Sequence, residues 1–229
     1  MLSPLPADER ELEGVALCFR SIQHLGHAMR VIALLAVAFA SIGFAAHATA
    51  DEMSRQRVDG VSLSVPAAWR VDTAEYEKDK AQADATHTQR SRTLLAVAGP
   101  GNDSAVAALS FATKDGFKPD TVAAMSDQAK AQLARQLQEI SERSLGLPAK
   151  RGIAIDWAPY ETVEIAGRQA LRNLATVYLR NRPGAQDLFY IPTMSGMYLL
   201  SVSIFDRPVD AGHQLAKEIA SSIQIDGTF

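Results

Sequence analysis

Cysteine and histidine are scarce in this sequence, and their scarcity excludes several kinds of site. The 229 residues include one cysteine, Cys18, and five histidines. A single thiol cannot form an intrachain disulfide or build a cysteine-rich zinc or iron–sulfur centre. After residue 50 the only histidines are His87 and His213, which lack the close spacing typical of zinc ligands. The sequence therefore predicts no metal site and no cofactor.

Short catalytic motifs are also missing. The segment Thr193–Gly196 lacks the first glycine of a G-x-S-x-G nucleophile elbow. Residues 99–104 lack the lysine of a phosphate-binding loop, and their glycines and proline favour a hairpin turn. A triad assembled in space stays open as an alternative, because its members need not be neighbours in sequence. We expect no enzyme, with a small periplasmic hydrolase as the alternative.

The charge balance gives no support to nucleic-acid binding. Lys and Arg together number 23 against 26 for Asp and Glu, a net charge of −3, so the chain has no basic excess to contact phosphates. Hydrophobic residues make up 47% and charged residues 21% of the chain, which is typical of a globular fold.

The first fifty residues have the pattern of an export signal. Arg30 precedes an uncharged run over 31–46, and Ala48-Thr49-Ala50 matches a cleavage site. A helix that spans a membrane needs about 20 apolar residues, and this run is shorter. If the leader were not cleaved, it would still tether the protein to the membrane. Acidic residues between 8 and 13 are unusual for a signal, so translation starting at Met29 is a further hypothesis. We expect residues 1–50 to be a cleaved leader and the protein to be periplasmic or secreted, without a lipid anchor because no cysteine stands at the cleavage point.

Residues 51–229 combine strand and helix patterns. Residues 61–65 and 197–205 alternate in the manner of strands, and residues 162–205 are typical of an antiparallel meander. A helix is predicted from Asp120, as its N-cap, to about residue 145, and a second from Pro208 or Asp210 to Ser222. The first helix places its apolar residues on one stripe, namely Val122, Met125, Ala129, Leu133, Leu137 and Ile140.

The last long strand indicates how these elements are layered. Residues 197–205 carry apolar side chains on both faces, which an open sheet facing water would not need. We therefore expect an α+β fold, in which a mostly antiparallel sheet has helices on both faces as an α/β/α sandwich. Residues 51–229 are expected to form a single domain.

The segment from Val61 to Trp69, VSLSVPAAW, and the ending Ala220–Ile225, ASSIQI, resemble the PsbP/DcrB-like superfamily. The resemblance covers about Gly60 to Ile225 and implies an α/β/α sandwich. Members include extrinsic photosystem subunits, Ran-binding factors, envelope lipoproteins and chaperones of secreted toxins, so the resemblance implies a non-enzymatic accessory role. The chain differs from the lipoproteins because it lacks their lipid-attachment cysteine.

Two groups of residues are candidates for contact with a partner. Trp157 and Tyr160 lie in a predicted loop, where exposed aromatic side chains anchor interfaces, although large aromatics are more often buried. Arg90 and Arg92 form a small positive cluster that suits an acidic partner, or else a solvated strand edge. His213 is predicted on a helix surface.

Several carboxylates are predicted to be solvated charges near strand ends, namely Asp156, Glu161 and Glu164. With no reactive constellation evident, we expect an exported accessory protein that binds an unidentified envelope protein or peptide. A chaperone or adaptor for apolar segments of a secreted partner is a further alternative.

Overall fold

A computed structural model describes residues 52–74, 76–77, 91–100, 105–112, 118–145, 153–179 and 182–226 of the chain. The expected leader and cleavage site, residues 1–50, lie outside them. The strands are β1 (Met53–Val58), β2 (Val61–Pro66), β3 (Arg70–Val71), β4 (Ser91–Ala98), β5 (Ala105–Ala112), β6 (Ile153–Trp157), β7 (Glu161–Ile165), β8 (Arg168–Leu179), β9 (Arg182–Pro192), β10 (Met197–Ile204) and β11 (Gln224–Ile225). The helices are α1 (Pro119–Ala123), α2 (Asp127–Leu145) and α3 (Val209–Ser221).

The strands form two sheets in which every pair is antiparallel. The larger sheet has the order β3-β4-β5-β10-β9-β8-β6, and β7 pairs with β8 beside β6. The smaller sheet has the order β1-β2-β11. The expected α+β class with a mostly antiparallel sheet is confirmed, and so is the C-terminal meander, here β8-β9-β10.

The hairpin between β7 and β8 is fixed by its two-residue turn. Ala166 and Gly167 both have positive φ, 52° and 70°, as a type I′ turn requires. This turn sets the register in which Ile165 lies opposite Arg168 and Glu161 lies opposite Arg172. The turn therefore decides which residues of β7 face the core.

The predicted first helix is interrupted. Asp120 is not its N-cap, because helix α1 begins one residue earlier and Lys118 occupies the cap position without a side-chain cap bond. The chain leaves the helix at Ala124, and α2 starts after Ser126, whose Oγ accepts a hydrogen bond from the Ala129 amide at 3.3 Å. A serine at this position caps a helix well, so the capping signal that matters lies six residues beyond the predicted one.

Two hydrophobic clusters divide the core between them. The first contains Phe189 and Ile191 of β9 together with Leu215 and Ile219 of α3 and residues of β2. The second contains the alternate β9 residues Leu188 and Tyr190. It also contains Val122 of α1 and, from α2, Leu133, Ala134 and Leu137. Since neighbouring residues of a strand point to opposite faces, β9 contributes one face to each cluster.

Helices that could cross a bilayer were sought in the described part of the chain, and none there is both long enough and apolar enough.

Candidate functional site

A cluster of charged side chains lies where α3 packs on β8 and β9. Arg172 of β8 donates from Nε to Asp187 Oδ1 at 2.7 Å and from Nη1 to Glu161 Oε1 at 2.8 Å. Its Nη2 donates to the backbone oxygen of His213 at 3.0 Å. Asp187 Oδ2 lies 2.6 Å from His213 Nδ1, and a carboxylate oxygen accepts, so the histidine nitrogen donates. We call Glu161, Arg172, Asp187 and His213 the ion cluster.

The ion cluster is mostly withdrawn from water. The side chain of Asp187 is 0% exposed and that of Arg172 is 8% exposed, whereas that of Glu161 is 47% exposed. Buried charges persist in proteins when they are paired and hydrogen-bonded, which this arrangement achieves. The cluster also joins four elements, since Glu161 belongs to β7, Arg172 to β8, Asp187 to β9 and His213 to α3.

A cleft opens beside the ion cluster, between β7 and α3. We call it the β7–α3 cleft. It encloses about 220 Å³ and is lined by Val163, Glu164, Ile165, Phe189, Lys217, Ala220 and Ser221. Phe189 connects the two features, because it lines the cleft while the Arg172 guanidinium carbon lies 5.5 Å from the centre of its ring. Such a position is favourable for a cation over an aromatic face.

The ion cluster is built to hold elements together. Nε, Nη1 and Nη2 of Arg172 each donate a hydrogen bond within the protein, and both carboxylate oxygens of Asp187 accept one. Asp187 and His213 reproduce the acid–histidine half of a hydrolase triad, but no hydroxyl among the described residues hydrogen-bonds to the His213 ring. A triad thus lacks its nucleophile within the part of the chain described.

Metal binding gains no support from this arrangement. Across the described ranges, no group of three or more His, Cys, Asp or Glu side chains is placed to hold an ion.

The aromatic candidates from the sequence lie inside the molecule. Trp157 is 9% and Tyr160 is 4% exposed, and both belong to the second cluster. Burial raises the pKa of Tyr160 well above its usual value, and burial also raises the pKa of Tyr190 to about 12. The two rings are 5.9 Å apart, centre to centre. Contact of Trp157 and Tyr160 with a partner stays a prediction.

The arginine candidates are only partly described. Arg90 and His87 lie outside the described residues. Arg92 Nη2 donates to Asp59 Oδ2 at 2.5 Å, and both side chains are largely exposed. This pair links β4 to the turn between β1 and β2, so the structure does not bring Arg92 together with Trp157 or Tyr160.

The central residues of the site were not predicted from the sequence. His213 is not a helix surface residue, since its side chain is 15% exposed and bonded to Asp187. Glu161 is tied to Arg172, whereas Asp156 and Glu164 are exposed as predicted. The available signal was a charge within an apolar strand, Asp187 before Leu-Phe-Tyr-Ile, because such a charge is buried only with a partner.

The fold is similar to that of several solved structures. The solution structure of cyanobacterial PsbP (CyanoP) from Synechocystis sp. PCC 6803 matches with a TM-score of 0.51 and 10% identity, covering 80% of this chain and 98% of that one. This chain has the PsbP-like fold. The expected PsbP/DcrB-like resemblance is thereby confirmed at the level of fold.

Two further structures are similar at lower scores. The Ran-binding protein Mog1p of Saccharomyces cerevisiae matches with a TM-score of 0.41 and 10% identity, over 76% of this chain and 96% of that one. LpqN of Mycobacterium tuberculosis, involved in cell envelope biogenesis, matches with a TM-score of 0.35 and 14% identity, over 79% and 88%. By sequence alone, no protein family and no curated protein matches the PsbP-like chain.

Proposed function

We propose that this PsbP-like chain is an exported, non-catalytic accessory protein that binds a protein or peptide partner. The observation that carries the proposal is the β7–α3 cleft beside an ion cluster in which Arg172 and Asp187 form their hydrogen bonds within the protein. Such a site offers a shaped surface next to charged groups that hold the fold rather than react. We further infer that α3 covers one face of the larger sheet and that α1 and α2 cover the other, since the two clusters take alternate residues of β9.

The export part of the proposal rests on the leader pattern of residues 31–50. Its test is N-terminal sequencing of the protein recovered from separated periplasmic and cytosolic fractions. We expect a processed chain beginning at Asp51 in the periplasmic fraction. Recovery of the unprocessed chain in the cytosol alone would contradict export.

The binding part is tested by photo-crosslinking in the producing cells. A photoreactive residue is placed at Lys217 on the cleft or at Glu164 on the adjoining strand β7, and at Asp127 on α2 as the matched exposed control. We expect a defined adduct from the first two positions and none from the control. Absence of an adduct at every surface position tried would remove the binding proposal.

A hydrolase is the second candidate, and one observation favours it, the contact between Asp187 and His213. The missing nucleophile would then have to come from outside the described residues. A panel of esterase, phosphatase and glycosidase substrates tests this candidate. Turnover that disappears in His213→Gln while the protein stays folded would replace the accessory role by a catalytic one, and silence across the panel would retire it.

A further inference from the structure

The larger sheet has an open edge beside the β7–α3 cleft. Strands β6 and β7 pair with successive halves of β8 along one of its sides, and β9 occupies the other side. Within the described residues no strand pairs with the outer side of β7. An open edge presents backbone groups that another extended chain can pair with.

The type I′ turn decides which groups of β7 face outward. Ile165 and Arg168 flank the two-residue turn and form a hydrogen-bonded pair, and such pairs alternate along an antiparallel hairpin. Val163 therefore bonds toward β8. The N–H and C=O groups of Thr162 and Glu164 point to the open edge, so two donors and two acceptors are available there.

The cleft is matched to a side chain in size. Its volume of about 220 Å³ lies below the roughly 300–1,000 Å³ of pockets that take small molecules. Phe189 and Ile165, both almost fully buried, contribute apolar surface, and Ala220 adds more from α3. This space has room for one aliphatic side chain from a strand running along β7.

The charge of the edge defines the kind of strand that fits. Residues 153–165 contain Asp156, Glu161 and Glu164, all exposed, and no lysine or arginine. Arg172 already pairs with Glu161, and Lys217 lines the cleft from α3, so Glu164 supplies the negative charge of β7 itself and Asp156 adds to it from β6. A second copy of this chain would bring the same acidic edge against it, which like-charge repulsion disfavours. A basic strand is complementary to it.

We propose that β7 accepts an extended, basic segment of a partner protein as an added strand, with one aliphatic side chain of that segment in the β7–α3 cleft. The residues on either side of this anchor would point to the opposite face, where the Glu164 side chain alternates away from Val163 and Ile165. Lysine or arginine is therefore expected next to the anchor. This inference rests on the proposed binding function and names the partner's chemistry.

Acidic residues on a sheet edge also protect proteins against unwanted pairing. That role predicts that no extended peptide binds, whereas the docking proposal predicts binding in one defined register. Titration with a synthetic peptide separates a protective edge from a docking edge.

The probe is the synthetic peptide acetyl-Ser-Lys-Thr-Lys-Leu-Lys-Thr-Lys-Ser-amide, titrated into the isotope-labelled full-length chain and followed by NMR. We expect saturable shifts of the Thr162, Glu164 and Lys217 amides. Two further peptides are N-methylated on one or the other set of alternate residues. The peptide methylated on the amides that face β7 should bind at least ~10-fold more weakly than the unmethylated peptide. The peptide methylated on the amides that face solvent should keep an affinity within about twofold of the unmethylated one.

Protein variants test the cleft and the charge. Ala220→Leu narrows the cleft and should weaken binding of the peptide at least ~10-fold. Ala211→Leu, at an exposed position of the same helix, should leave the affinity unchanged. Glu164→Lys should weaken binding at least ~3-fold, against no change for Glu139→Lys on α2. If Ala220→Leu does not fold, the peptide with alanine in place of leucine tests the same contact.

The proposal is overturned if the peptide does not bind up to ~1 mM, or if both methylated peptides bind alike. It is also overturned if the NMR shifts that the peptide induces belong to residues outside β7 and α3. Failure of the peptide together with a partner crosslinked at another surface would remove only this inference. Failure to find any crosslinked partner would remove the proposed function itself.

Discussion

Asp187 shows how one residue can hold a site together. It directly precedes the apolar run Leu188–Ile191 of β9, is fully buried, and is bonded to both Arg172 and His213. The free energy of burying this charge is offset only while both partners remain, since an unpaired buried ion is strongly unfavourable. Glu161 contacts the same arginine from a half-exposed position, where water can replace the lost bond.

The two carboxylates that pair with Arg172, those of Asp187 and Glu161, therefore give a matched pair of variants. We expect Asp187→Asn to lower the free energy of unfolding by about 3–5 kcal/mol because it breaks a buried ion pair. Glu161→Gln should lower it by less than about 1 kcal/mol because that pair is partly solvated. Urea denaturation measures both, and equal losses would show that burial does not distinguish the two contacts.

Tyr190 makes the free energy of unfolding depend on pH in the alkaline range. Burial raises its pKa from the model-peptide value of 10.0 to about 12, so the folded chain keeps the phenolic proton after the unfolded chain has lost it. The unfolded state then binds fewer protons, and stability falls as pH rises between about 10 and 12, while it is fully present below 10.

Tyr190→Phe should weaken this alkaline loss. Across pH 9 to 12, we expect wild type to lose about 2 kcal/mol more than the variant. Urea midpoints collected over this pH range measure the difference. Tyr160, whose pKa is also raised by burial, should leave a residual slope in the variant. Identical pH profiles for the two proteins would contradict the role assigned to Tyr190.

At the scale of elements, the hairpin β7–β8 positions the cleft and the edge. Its turn places Ala166 at φ 52°, a backbone region that costs an L-residue roughly 1–2 kcal/mol and that asparagine and glycine tolerate better. The left-handed conformation of Ala166 comes from the register that the strands require, since both turn residues of this hairpin have positive φ.

Ala166→Asn should therefore stabilise the protein by up to about 1 kcal/mol, which raises Tm by about 2–4 °C. Ala124→Asn is the control, because Ala124 is exposed and has the right-handed φ of −92°. Thermal unfolding followed by circular dichroism measures both. A rise in Tm for the control, or none for Ala166→Asn, would contradict the assignment of strain to this turn.

The whole molecule depends on β9, which contributes to both hydrophobic clusters. The chain has two tryptophans, and each reports on a different cluster, Trp69 on the first and Trp157 on the second. Since alternate residues of one strand belong to the two clusters, neither cluster can lose its packing while the other keeps β9 in place.

We accordingly expect a single cooperative unfolding transition. Trp69→Phe and Trp157→Phe each leave one tryptophan, and urea midpoints followed by fluorescence should agree with the midpoint that circular dichroism gives for the same variant. A fluorescence midpoint that departs from the circular dichroism midpoint in either variant would mean that the clusters unfold separately.

Local patterns of residues predict the class of fold and most of its elements. Period-2 patterns located β2 and β10, and the apolar stripe of 122–137 located the buried face of α1 and α2, because local periodicity records which side of an element is buried. The short strands β1, β3 and β6 were missed, since their patterns are too brief or too polar to be distinguished from loops.

The site is assembled by contacts between distant segments of the folded chain. Arg172, Asp187 and His213 are separated by 15 and 26 positions along the chain and meet because β8 pairs with β9 and α3 packs across them. The open side of β7 is likewise a property of strand order. Pairing between distant segments leaves no periodic trace in any one of them, so the contacts that join the ion cluster and the edge beside the cleft become visible only once the chain is folded.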